Sequence, residues 1–114
     1  MNDKAGKKKY KVGLALSGGG AKGIAHIGAL RALEDSGLKV DVIAGVSAGA
    51  IVGSLYADGR SVKEMLEFFK KANLFQMVMP NMPKKGGLVN ADRFKKQLSE
   101  VLTARTFEEL GLPV

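Results

Sequence analysis

Gly45-Val46-Ser47-Ala48-Gly49 places one hydroxyl between two glycines, directly after the β-branched run Val40 to Val46 and before an Ala/Gly-rich run. A G-x-S-x-G at a strand-to-helix junction is a nucleophile elbow: a sharp turn lifts the serine oxygen clear of the sheet, and small neighbours let the strained backbone pass close by. The amides at the start of the following helix then stabilise negative charge beside the attacking oxygen. Without chemistry, the same residues would be a tight Gly/Ser turn.

A second glycine cluster, Ser17-Gly18-Gly19-Gly20-Ala21-Lys22-Gly23, follows the apolar run "YKVGLAL". Acyl transfer needs backbone N–H donors aimed at a developing oxyanion, and glycines let such donors converge without side chains in the way. The cluster also spells G-x-G-x-x-G at Gly18, Gly20 and Gly23, the dinucleotide fingerprint. That reading requires an acidic residue at the end of the second strand, whereas Asp41 precedes its strand. A P-loop is excluded because Lys22 comes before Gly23 and no Gly-Lys-Ser/Thr follows.

The elements around these motifs alternate. Tyr10 to Leu16 reads as a strand, Ile24 to Ser36 as a helix with Ile27, Leu30 and Leu33 at helical spacing and Gly37 as its stop, and Val40 to Val46 as a strand buried on both faces. A helix over Ala48 to Ala57 follows. Ser61-Val62-Lys63-Glu64 is a capping box opening a helix to Ala72 with Met65, Leu66, Phe68 and Phe69 on its apolar stripe. Residues 73 to 90 read as a loop carrying Met77, Met79 and Met82, which could line an acyl-chain entrance or pack in a core. Asn90 caps a helix to about Leu102, Thr106-Phe107-Glu108-Glu109 is a second capping box, and "LGLPV" resembles the start of another strand. This order is α/β.

The 114 residues, 46% hydrophobic, suffice for one core. There is no cysteine and one histidine, so disulfides and thiol catalysis are excluded and no metal site is expected. Net charge is +7, yet five of the eighteen basic residues (Lys4, Lys7, Lys8, Lys9, Lys11) fall in the first eleven positions. Residues 1–9 are a solvated basic arm, able to touch an anionic membrane surface. No secretory signal is read, and the uncharged stretch Val42 to Ala57 is too short and glycine-rich to span a bilayer, which points to a cytoplasmic protein, peripheral to membranes at most.

Taken together, Gly18-Gly19-Gly20-Ala21-Lys22-Gly23, "AHIGALRALE" and Gly45-Val46-Ser47-Ala48-Gly49 closely resemble the patatin-like phospholipases, from Lys11 to Val114. The resemblance implies a three-layer α/β/α fold with a mainly parallel sheet, incomplete in this chain, with residues 10–114 as the N-terminal portion of the catalytic domain. It implies a serine lipid acyl hydrolase without cofactor: Ser47 as nucleophile, Gly18, Gly19, Gly20, Ala21, Lys22 and Gly23 as the oxyanion loop, and Gly45, Val46, Ala48 and Gly49 as the elbow. Lys22 fills the family's basic position. Its partner is a lipid or phospholipid ester, with peripheral membrane contact and no nucleic acid.

The family's serine works with an aspartate in a downstream Asp-Gly-Gly or Asp-Gly-Ala, and no such motif occurs here. Asp58-Gly59 is the only Asp-Gly pair, about 16 Å from Ser47 along one helix, and reads as a helix-end turn. His26 shares a packing face with Leu30 and Leu33 and reads as a hydrogen-bonded core histidine. A hydrolase triad would need a histidine after the serine, and Val46 stands where related acyltransferases carry one. The alternatives are a phosphate- or nucleotide-binding module built on Gly18 to Gly23, or a non-catalytic interaction fragment. A sheet cut before its later strands is expected to self-associate.

Overall fold

A computed structural model of the chain describes residues 9–72 and 91–114. Strand β1 (Gly13–Leu16) leads through a 3-10 turn at Gly20–Gly23 into helix α1 (Ile24–Asp35), and the chain returns as β2 (Val42–Gly45). The two strands are parallel, with Gly13 opposite Val42 and Leu16 opposite Gly45, so β1, α1 and β2 form one βαβ unit. Helices α2 (Ala48–Ala57), α3 (Val62–Lys71) and α4 (Ala91–Val101) follow, then a 3-10 turn at Phe107–Glu109.

Both strands are shorter than their apolar runs. Ahead of Gly13 the amides of Lys11 and Val12 donate to the Asp41 carboxylate, each at 2.8 Å, while the Val12 carbonyl accepts from the Asp41 amide at 2.9 Å. Val46 still donates to the Leu16 carbonyl at 3.0 Å, but its side chain has turned outward and is 67% exposed. On the other edge of β2, Ile43 donates to the Pro113 carbonyl at 2.9 Å. The expected next strand therefore begins to pair at Pro113 without forming a regular strand among the described residues.

The core sits where α2 backs the strands and α1 crosses α3. Ile27 and Leu30 from α1, Val52 and Leu55 from α2, and Met65, Phe68 and Phe69 from α3 close on Leu16 and Ile43. Leu33 and Leu66 are only partly buried at its margin. Burying side chains of this size stabilises the fold by about 1.5–3 kcal/mol each. Helix α4 adds Phe94 edge-on to Phe68, with ring centroids 6.0 Å apart.

The Ser61 capping box forms in full: Glu64 donates its amide to Ser61 Oγ at 3.1 Å and accepts from the Ser61 amide at 3.2 Å. These bonds from Ser61 hold the Glu64 carboxyl below its usual range. The second expected box does not form. Thr106 makes no side-chain cap bond: the Glu109 amide donates to the Thr106 carbonyl at 3.3 Å in the i to i+3 manner of a 3-10 turn, and the Glu109 carboxylate accepts from the Arg105 amide at 2.6 Å. Asn90 and the loop methionines Met77, Met79 and Met82 lie outside the described residues, as does most of the basic arm.

Candidate active site

Ser47 is the second of the two residues between β2 and α2. Its φ of 51° and ψ of −121° make it the only described non-glycine residue with positive φ. Such a backbone costs on the order of 1–3 kcal/mol and persists only where its surroundings enforce it. Here they do. A Cβ on Gly45 would stand 2.7 Å from the backbone of Ala50, and one on Gly49 would run into the carbonyls of Leu16 and Ser17. Both motif glycines are required by the close passage of α2 over the strand ends, which answers for their presence on either side of the hydroxyl.

The result is an exposed serine on a tightly packed base. Ala48 and Gly49 are buried behind it, and Ala50 and Ile51 donate to the Ser47 carbonyl at 2.9 and 3.1 Å, starting the helix. The Ser47 hydroxyl has no hydrogen-bond partner among the described residues. Ala48 opens α2, so the orphan amides and positive dipole end of that helix lie at the serine.

The glycine cluster comes to the same place. A Cβ on Gly18 would stand 3.4 Å from the Ser47 Cβ, and one on Gly23 would stand 2.6 Å from the Ala48 Cβ, so both ends of the loop rest on the elbow. Gly19 has φ +146° and Gly20 φ +58°, conformations that side-chain-bearing residues rarely adopt. Lys22 donates its amide to the Gly19 carbonyl at 3.1 Å and its side chain is exposed. The amides of Gly18 and Gly19 donate to no described residue. Ala21 lies within the same 3-10 turn. Every residue singled out in the two motifs thus falls at one corner of the fold, the C-terminal ends of β1 and β2, where open α/β sheets hold ligands.

Among the described residues, no carboxylate is hydrogen-bonded to Ser47. Asp58 ends α2 at the far side from Ser47, and its carboxylate accepts from the Thr103 and Ala104 amides, both at 2.8 Å, with Arg60 Nε at 3.3 Å. It ties the segment after α4 to the end of α2. Asp41 sits at the opposite end of β2, where the amides of Val12 and Lys11 hold its carboxyl below the usual range. The dinucleotide reading therefore loses its acidic residue. His26 is hydrogen-bonded as expected, but it is half-buried at the surface rather than in the core, with Nε2 2.7 Å from the Ser17 carbonyl. No acidic or histidine cluster suited to a metal ion occurs among the described residues, nor is any described helix long and apolar enough to cross a membrane.

The sequence profile of the patatin-like phospholipases matches residues 14–114. The chain belongs to the patatin-like phospholipase family. It is 52% identical over 60 residues to the lysophospholipase nte1 of Emericella nidulans, covering 53% of this chain and 4% of that protein. It is 59% identical over 46 residues to the lysophospholipase NTE1 of Coccidioides immitis, covering 40% of this chain and 3% of that one. A longer match, 33% over 107 residues, is to the patatin-like phospholipase domain-containing protein 6 of Mus musculus and covers 90% of this chain and 8% of that protein. The chain thus spans less than a tenth of the length of these relatives. The parallel βαβ unit and its helices are the corresponding part of a patatin-like α/β fold.

One feature of this patatin-like corner escaped the sequence. A cavity of about 290 Å³ runs along α2, lined by Ala50, Ile51 and Ser54 on one side and by Leu98, Leu102 and Phe107 on the other, with mostly apolar walls. Residues 47, 50, 51 and 54 recur at three- and four-residue spacing, so Ser47 and the groove share one face of the helix. Only the partners from α4 and the 3-10 turn complete it, and no local pattern announces that meeting.

Proposed function

We propose that this chain carries the nucleophile and oxyanion loop of a serine hydrolase acting on lipid esters. Ser47 Oγ attacks the ester carbonyl and gives its proton to a base, the carbonyl oxygen becomes an oxyanion facing Gly18 to Gly23, and the bond to the leaving alcohol breaks as that alcohol takes the proton. Water then releases the acid from Ser47 by the same steps in reverse order. The observation that carries this reading is the strained, exposed Ser47 with Gly18 against it and the start of α2 behind it.

The base is supplied from outside residues 1–114. Among the described residues no carboxylate is hydrogen-bonded to Ser47, and those of Asp41, Asp58 and Glu64 accept from backbone amides elsewhere. A family-type aspartate is the candidate, forming a dyad with Ser47. The groove beside Ser47 and the exposed Val46 suit an acyl chain, and the relatives' names favour a lysophospholipid as the ester.

The test is covalent. A fluorophosphonate probe added to the full natural polypeptide should label one residue, Ser47, and Ser47→Ala should abolish both labelling and hydrolysis of lysophospholipid. Turnover that survives Ser47→Ala would end this reading. A nucleotide that raises the melting temperature of the unlabelled protein would favour the phosphate-binding alternative.

A further inference from the structure

We infer that His26 is a positioning residue, holding the oxyanion loop rather than acting on the serine's proton. The inference rests on the function proposed above. A carbonyl can only accept, so the 2.7 Å contact makes Nε2 the protonated nitrogen, donating to the Ser17 oxygen. Ser17 is the last residue before Gly18, and His26 lies in the first turn of α1, so the bond closes the loop's two ends on each other.

The loop has little else to define it. Gly18, Gly19 and Gly20 bring no side chains to pack, and glycine loses more conformational freedom on ordering than any other residue. Its internal tie is the bond from Lys22 to Gly19. Besides the packing of Gly18 and Gly23 on the elbow, external fixation comes at Ser17. Gly49 presses on that carbonyl from α2, the adjoining Leu16 carbonyl accepts from Val46, and His26 takes the remaining side.

Covalent geometry carries that fixation forward. The Ser17–Gly18 peptide is planar, so holding the Ser17 oxygen also fixes the direction of the Gly18 N–H and of the chain as it leaves β1. Gly18 is the loop residue that rests on Ser47, and its amide is unengaged among the described residues. A donor on His26 therefore sets where the loop's amides stand relative to the nucleophile. In this bond Nε2 is a donor and offers no lone pair to the serine's proton.

Three variants in the full natural polypeptide separate the roles. His26→Gln keeps an N–H close to the Nε2 position, His26→Phe keeps the ring's shape without a donor, and His26→Asn keeps an amide one atom too short. Turnover of a short-chain aryl ester is measured as kcat and KM, with urea midpoints to confirm folding. His26→Phe should lower kcat by about 10- to 100-fold, the range for displaced oxyanion donors, with KM within about threefold. His26→Gln should recover kcat to within about threefold, whereas His26→Asn should resemble Phe and serves as the readable variant if Phe fails to fold.

Wild-type kcat in a folded His26→Phe or His26→Asn protein would overturn the inference. So would a folded His26→Gln protein as inactive as His26→Phe, since that would make the imidazole itself the base. Loss of all turnover in Ser47→Ala alongside a normal His26→Phe rejects the positioning role alone. Survival of turnover in Ser47→Ala rejects the serine hydrolase reading and the positioning role with it.

Discussion

Gly49 is packed so closely on Ser17 that a Cβ at Gly49 would stand 2.6 Å from the Ser17 carbonyl oxygen. This contact joins the two motifs: the last residue before the oxyanion loop touches the second residue after the nucleophile. Gly49→Ala must push α2 off the end of β1, and overpacking of this kind costs about 1–3 kcal/mol. The displacement also moves Ser47 relative to Gly18. We expect a lower urea midpoint together with slower phosphonate labelling at conditions where the variant remains folded.

Gly19 tests the loop by conformation rather than by space. Its nearest neighbour is the Lys22 Cβ at an ordinary 3.6 Å, so a side chain would fit, but φ of +146° is one that a β-branched residue strongly resists. Gly19→Val should leave labelled-protein folding intact by circular dichroism while misdirecting the loop amides. Loss of one such donor raises the barrier by about 2.7–4 kcal/mol, so kcat should fall about 100- to 1,000-fold. Near-normal ester turnover in the folded variant would remove the loop from the oxyanion role.

The elbow was legible in the sequence because every constraint on it is local. A β-branched strand, a glycine on each side of the serine and a small-residue helix start are consecutive, and the parallel order of β1, α1 and β2 follows from their alternation. β1 falls short of Tyr10 to Val12 because the Asp41 carboxylate, 29 and 30 residues away in sequence, captures the Val12 and Lys11 amides. The groove and the Asp58 tether were illegible for the same reason, since each needs residues near 100 to meet α2. The hydrogen bond of His26 is as its residue type predicts, whereas helical spacing with Leu30 and Leu33 points to a core place and the side chain is half-buried, turned to the Ser17 carbonyl.

The groove predicts a chain-length effect. Ile51 lies one helical turn from Ser47 and lines the cavity opposite Leu98. Ile51→Trp should shorten the space for an acyl chain, and a few methylenes' worth of pocket, at about 1–3 kcal/mol, corresponds to at least a tenfold change in preference. Aryl esters from acetyl to dodecanoyl should show kcat/KM falling for the long chains with the acetyl value little changed. An unaltered profile would place the chain elsewhere.

Acid should loosen the start of the sheet. The amides of Val12 and Lys11 hold the Asp41 carboxyl below its unfolded value, and the amide and side chain of Ser61 do the same for Glu64. A group with a depressed folded pKa contributes stability above its unfolded pKa, near 4, and that contribution is lost as pH falls through the folded value. Urea midpoints should therefore decline from about pH 5 downwards. Asp41→Asn and Glu64→Gln should each lower the midpoint at pH 7 and flatten the decline, because the variant side chain no longer titrates.

Asp58 is the described aspartate most open to mistaken assignment, since it follows the nucleophile and precedes a glycine. Its carboxylate is 3% exposed and occupied on both oxygens, by Thr103 and Ala104 amides and by Arg60, which also reaches Glu64 Oε2 at 3.2 Å. The whole of α2 separates it from Ser47, about 16 Å at 1.5 Å per residue. Asp58→Asn keeps one acceptor but removes the charge facing Arg60 and leaves one amide without an oxygen. A buried group left unpaired in this way costs about 1–3 kcal/mol. The expected outcome is a lower urea midpoint with kcat within about threefold of wild type under native conditions, the margin that a structural tether allows. Loss of turnover by several orders of magnitude in a folded Asp58→Asn protein would instead require α2 to bend its far end towards the serine, and would return the base to this chain.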